Sequence, residues 1–377
     1  MRPPERMMLI VATALLCGSA PPAPQGEADH AAIARAALTE IIRPGYAALA
    51  GAADALQGKM DALCQQPSEP AFDQAKQAFA ATVAAWSKVE ILRFGPVTED
   101  HRYERLFYWP DAKGIGLRQV QEALAAKDES VELSDELAGK SVALQGLPAL
   151  EYLLYGDGAA TLAKERQIVG DAGSPPEVEA EGAFRCAFAL AVATNIDRIA
   201  GAVVENWREG STYEKAFLSP IAEDPIYHAP KEVTLDLFKS FTSGIELVRD
   251  QKLAKPLGAS PEEAKPKLAA FWRSGLTFAN AAGNLEGVRT LFAKGGFAQV
   301  VAGESAGVEN SILFDLDHAI EVLRGIGLPM AEVAEDEDLP AKIEALRVAL
   351  KGAAQTAGDM ISRGAGLAFG FNAMDGD

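Results

Sequence analysis

The sequence predicts an all-α protein built as two similar helical-bundle lobes. Alanine, leucine, glutamate and lysine dominate, while period-two runs rich in valine, isoleucine and threonine are nearly absent. Long amphipathic segments lie on either side of a break rich in Ser, Pro and Asp at 211–230. The length, 377 residues, exceeds one ordinary hydrophobic core and so points to two domains.

The elements follow in order. Residues 1–20 have the layout of a secretory signal peptide: Arg2 and Arg6, an apolar run from Met7 to Cys17, then Gly18-Ser19-Ala20. The run is too short to span a bilayer. Acylation at Cys17 is a second reading, disfavoured by the bulky Leu16 before it. The expected location is therefore the periplasm or envelope of a bacterium, with no transmembrane segment in the mature chain. An N-terminal lobe is expected over 31–205, with helices at 31–63, 70–93, 115–126, 141–155 and 177–207. Gly95 and Pro96 close the second of these, Gly114 and Gly116 lead into the third, and the fourth contains Gly146 and Pro148. Pro148 either occupies the first turn of a helix starting near Gly146 or kinks one running on from Ser141. A linker is expected over 206–230 and a C-terminal lobe over 231–377, with helices at 233–250, 266–282, 304–325 and 339–362. The tail from Gly364 is glycine-rich and reads as coil.

The chain has 35 basic and 53 acidic residues; the first twenty hold Arg2, Arg6 and Glu5, leaving 33 against 52 and a net charge of −19. That acidity argues against nucleic acid and anionic lipid as partners and suits cations, although solubility is the commoner reason for such a charge. Two cysteines remain after residue 20, Cys64 and Cys186. An oxidising compartment favours a disulfide between them, and two buried thiols are the alternative.

The densest chemistry lies between Trp86 and Gln121. Trp86, Glu90 and Arg93 are one helical turn apart and share a face, followed by a basic and aromatic run to Trp109 and then by Arg118. Such charges form either a solvated salt-bridge face or a perturbed site. This stretch resembles the imelysin-like family of bacterial cell-envelope proteins, on Trp86, Glu90, Phe94-Gly95-Pro96 and Trp109-Pro110-Asp111. The family's hallmark Gly-x-His-x-x-Glu corresponds to Gly146-Leu147-Pro148-Ala149-Leu150-Glu151, with proline in place of histidine. The resemblance implies a duplicated helical fold, a place among iron-uptake functions and an older peptidase label. Pro148 removes the histidine that such an activity would need, so the sequence leans away from an enzyme.

A faint internal repeat pairs Val89-Glu90-Ile91-Leu92-Arg93 with Ile245-Glu246-Leu247-Val248-Arg249, and Ala149-Leu150-Glu151-Tyr152-Leu153 with Ala319-Ile320-Glu321-Val322-Leu323. The second copy places His318 where the first has Pro148, and His318 and Glu321 can converge on one ion. The expected site is then a carboxylate-rich centre at the lobe interface. Glu90, Glu151, Glu246, His318 and Glu321 would ligate iron, another divalent or trivalent cation, or a metal-bearing ligand. Trp86, Arg93, Trp109, Arg118, Pro148 and Arg249 would surround it, and envelope iron-uptake components would be partners. A metallopeptidase and a scaffold with buried ion pairs at Glu90–Arg93 and Glu246–Arg249 are the alternatives. Two further patterns are treated as decoys. Gly303-Glu304-Ser305-Ala306-Gly307 matches a nucleophile elbow without the strand it needs, and His101 with Glu104 repeats the i, i+3 spacing in a loop-like region.

Overall fold

The computed structural model describes residues 28–164 and 177–367, and helices are joined there by turns and loops with no strand among the described residues. The expected signal peptide at 1–20, with Cys17, and the tail beyond Leu367 lie outside them. In the first half, α1 (His30–Ala37) passes through a π-helical turn, Leu38–Ile42, into α2 (Arg43–Gln65). Pro44 in the first turn of α2 cannot donate to the preceding turn, which accounts for the wider register just before it. The Ser68 side chain accepts from Ala71 N to start α3 (Glu69–Val89), and Pro70 sits harmlessly in its first turn. Short helices follow: α4 (Arg102–Leu106), α5 (Ile115–Ala126), α6 (Ser134–Ala138) and α7 (Gly146–Tyr155), before the long α8 (Glu177–Asn206) and α9 (Thr212–Leu218).

The second half opens with α10 (Pro230–Glu246), which runs through a second π-helical segment, Leu247–Ala254, into the single turn α11 (Lys255–Leu257). It continues with α12 (Thr277–Lys294), α13 (Phe297–Glu304), α14 (Val308–Gly325), α15 (Met330–Glu335) and α16 (Leu339–Gly364).

Three departures from the sequence reading have local causes. Helix α3 stops at Val89 rather than Arg93, because Gly95 adopts φ 69° against the Trp207 ring and Pro96 follows. Gly146, at φ 75°, is approached by the Arg105 and Leu106 carbonyls; a Cβ there would lie 2.4 Å from each. That contact fixes the start of α7 and leaves Pro148 in its first turn, the first of the two geometries expected for it. The helix expected at 266–282 is instead irregular up to Leu276, with one 3-10 turn at Pro266–Leu268, and α12 begins only at Thr277.

Helix α2 packs on α3 and α8, and α12 packs on α10 and α14. The halves meet where α3 crosses α12. The crossing is close because Gly283 and Gly287 carry no Cβ: one would fall 2.6 Å from Ser87 Cβ, the other 2.2 Å from the Lys88 carbonyl oxygen. Buried apolar side chains form one continuous core through both halves. Cys64 on α2 and Cys186 on α8 form the expected disulfide, with their Cα atoms 5.5 Å apart. Residues Glu181–Asn206 are long and apolar enough to cross a membrane by length and composition, but they pack within the bundle against α2 and α7.

Helix order does not follow the residue pairing of the sequence repeat. Glu90 ends α3, the second long helix of its half, whereas Glu246 ends α10, the first of the other.

Candidate functional site

A buried polar centre lies at the α3–α12 crossing. Glu90, fully buried at the end of α3, accepts on Oε2 from Lys252 Nζ at 2.7 Å, Asn284 Nδ2 at 3.0 Å and Asn280 Nδ2 at 3.2 Å. Lys252 comes from the π-helical segment and is 1 % exposed. It also donates to Asn280 Oδ1, and its ammonium lies 5.4 Å from the ring centroids of both Phe107 and Trp109. Burial pushes the Lys252 ammonium down to about 8 against the opposing pull of Glu90. The amides of Asn280 and Asn284, one turn apart on α12, also tie the centre to Ser87. Trp86 Nε1, Glu90 Oε1 and Asn284 Oδ1 are buried without hydrogen-bond partners among the described residues. An incompletely satisfied polar centre costs stability, which is the mark of residues kept for something other than packing.

The Phe107 and Trp109 rings separate this centre from a cavity of about 260 Å³. Phe107 stacks on Trp109 at 5.9 Å and on Phe271 at 5.1 Å. Trp109 Nε1 donates to Leu268 O at 3.1 Å, and the Trp109–Pro110 peptide is cis. The cavity also takes in Pro148, Glu151 and Tyr152 of α7, and Trp272 and Arg273 of the irregular segment. Phe271 holds φ 56°, a left-handed conformation rare for a bulky side chain. That bend turns the backbone so that Arg273 N (3.0 Å), Ser274 N (2.8 Å) and Ser274 Oγ (2.8 Å) all donate to Glu151 Oε1. Glu151 is 4 % exposed, and its other oxygen, Oε2, takes no hydrogen bond from the described residues. Burial raises the Glu151 carboxyl above the usual range, opposed by the Ser274 and Arg273 donors and the Arg273 charge. The nearby Asp111 is already occupied, capping α5 through Ile115 N at 2.7 Å and Gly116 N at 2.8 Å.

Of the residues expected at one centre, the structure gathers Trp86, Glu90, Trp109, Pro148 and Glu151 around these two adjoining spaces. Arg93 stands at the edge of the first: α3 ends early and leaves it exposed, lying over the Tyr103 ring at 4.7 Å, while its charge still acts on the buried Lys252. The rest are not brought in. Arg118 is exposed on α5 and reaches Glu122. Arg249 turns to its neighbour Asp250, and Glu246 is half-buried beside it. His318 and Glu321 are exposed on α14, where His318 stacks on the exposed Phe314. Among the described residues no group of three or more His, Cys, Asp or Glu side chains is placed to hold a metal ion. The cation facing Glu90 is Lys252.

Sequence reading missed Lys252, Asn280, Asn284, Arg273 and Ser274. One signal was present: two asparagines four residues apart in Asn280-Ala281-Ala282-Gly283-Asn284-Leu285, a polar pair on an apolar face.

The family model for Imelysin, peptidase family M75, matches residues 42–357. Iron-regulated protein A of Synechococcus elongatus is 20% identical over 224 residues, 58% of this chain and 53% of the relative, so the chain spans about half the length of the curated relative it matches. An imelysin-like protein of Psychrobacter arcticum 273-4 superposes with a TM-score of 0.70 at 18% identity, over 91% of this chain and 97% of that one. A candidate iron-regulated protein A precursor of Parabacteroides distasonis ATCC 8503 does so with 0.71 at 14% identity, over 92% and 97%. At these identities the structural likeness speaks for the fold.

Proposed function

Because the chain belongs to the imelysin family, we propose that it serves iron uptake or homeostasis in the bacterial cell envelope by holding a metal-bearing organic ligand, not a bare ion, in the cavity beside Glu151. The observation that carries this reading is the state of the two glutamates. Glu90 is neutralised by Lys252, and Glu151 offers one free oxygen in an aromatic chamber. A hard cation wants several oxygen ligands at once, whereas a flat organic ligand wants apolar walls with a few polar anchors. Iron enters through the names of relatives, Iron-regulated protein A and the precursor bearing the same name. The disulfide and the acidic surface are consistent with the periplasm. Peptidase chemistry lacks support at the motif, where Pro148 stands in place of the histidine.

Calorimetric titration of the purified protein with Fe(III)-salicylate, free Zn(II) and free Ca(II) tests the reading. Binding of the ferric complex alone, weakened in Glu151→Gln, is the expected result. Stoichiometric binding of free ions, or no binding of any ferric complex by a folded protein, would overturn it.

A further inference from the structure

Within that same cavity, and resting on the reading that it is the ligand site, we infer that the occupant is a flat aromatic acid carrying a hydrogen-bond donor. Its carboxylate meets the Arg273 guanidinium, and its donor meets Glu151 Oε2.

Arg273 provides the first anchor. Its guanidinium makes no hydrogen bond or close ion pair with any described residue; it lies over the Trp272 ring at 4.2 Å and the Tyr152 ring at 5.2 Å, with the Glu151 and Asp157 charges acting on it only at longer range. Five donors in a planar fork, half-buried and held by stacking, are matched to a carboxylate. Glu151 provides the second, as a side chain 4 % exposed whose Oε1 is saturated by the 273–274 backbone and Ser274 while Oε2 is left to the cavity.

The combination decides between ligand classes. A plain anion would suit Arg273 but set its charge against Glu151. A plain cation would suit Glu151 but meet Arg273 and Lys267. A molecule with an acid at one end and a hydroxyl or amino group at the other satisfies both. The stacked Phe107, Trp109 and Phe271 rings then select a flat aromatic body. An aromatic acid with an adjacent hydroxyl also offers the oxygen pair that Fe(III) prefers, which links the ligand class to the proposed function.

The experiment uses the intact chain and four probes: 4-hydroxybenzoate, benzoate, phenol and salicylate, the last with and without Fe(III). We expect 4-hydroxybenzoate to bind about tenfold tighter than benzoate or phenol, because each of those lacks one anchor. Arg273→Gln should lose at least about tenfold for every acid. Glu151→Gln, which presents a donor where the ligand presents one, should erase the advantage of 4-hydroxybenzoate over benzoate. Arg198→Gln, exposed and paired with Asp135, should bind as wild type, and circular dichroism establishes that each variant is folded. Equal binding of benzoate, phenol and 4-hydroxybenzoate, wild-type binding by Arg273→Gln, or no binding at millimolar concentration would each overturn the inference. The ferric arm tests the iron reading separately: salicylate bound equally with and without Fe(III) keeps the aromatic-acid site and removes the iron.

Discussion

Glu90 and Lys252 exchange hydration for one ion pair and the amides of Asn280 and Asn284, so neither charge is tolerable without the other. Glu90→Gln strands the ammonium between two aromatic rings and should destabilise the protein by about 3–5 kcal/mol. Adding Lys252→Met removes the stranded charge and should recover most of that loss. Urea midpoints of both single variants and the double variant measure it, and purely additive losses would mean the two residues are not coupled. Glu151 behaves differently because its carboxyl titrates above the usual range through burial. Once the pH exceeds the ordinary carboxylate value, the native state keeps a proton that the unfolded chain has released, so this residue's contribution to stability falls as pH rises through that window. Glu151→Gln removes the titration. As pH rises from the ordinary carboxylate value of about 4 through the raised native one, the variant should therefore gain on wild type in urea midpoint, with the two curves converging at the acid end. A constant difference across the range would contradict the assignment. Glu151 was legible from its motif, whereas its donors Arg273 and Ser274 were not, since a left-handed Phe271 carries no sequence signature.

Helix α5 declared itself by periodicity and α8 by the length of its apolar run, and both lie within a residue or so of their expected spans. Helix α12 did not, for a physical reason. Its interior carries Gly283 and Gly287, which dilute the helical pattern because α3 must approach there, while Pro261 and Pro266 start turns in the segment before it. The same glycines give a test at this scale. Gly287→Ala improves helix propensity by about 1 kcal/mol but drives a Cβ into the Lys88 carbonyl, and overpacking of about 1–3 kcal/mol should prevail. Gly58→Ala in α2, with nothing within 4 Å of the added Cβ, should stabilise by about 0.5–1 kcal/mol. Chemical denaturation of the pair decides the matter, and a stabilised Gly287→Ala would show that the crossing is looser than described.

Length and the Ser-Pro-Asp break suggested separable lobes, but the interactions that make the site run across the halves. Glu90 from the first half takes its three hydrogen bonds from Lys252, Asn280 and Asn284 of the second, and the Glu151 cluster is closed by Arg273 and Ser274. A half unfolding alone would leave a buried carboxylate without its cation, a penalty of several kcal/mol added to the exposure of a shared core. The whole chain should therefore unfold in one cooperative step. Tryptophan fluorescence, reporting Trp86, Trp109 and Trp207 in the first half and Trp272 in the second, should trace the same urea curve as far-UV circular dichroism. Cys64 and Cys186 close a loop of 122 residues wholly within the first half. Reducing that bond should lower stability by about 2–5 kcal/mol through a freer unfolded chain. If the halves are coupled as the Glu90–Lys252 pair requires, both optical signals shift together on reduction. A transition that splits, with the second half holding its original midpoint, would show two independent lobes and would make the buried pair a contact of convenience.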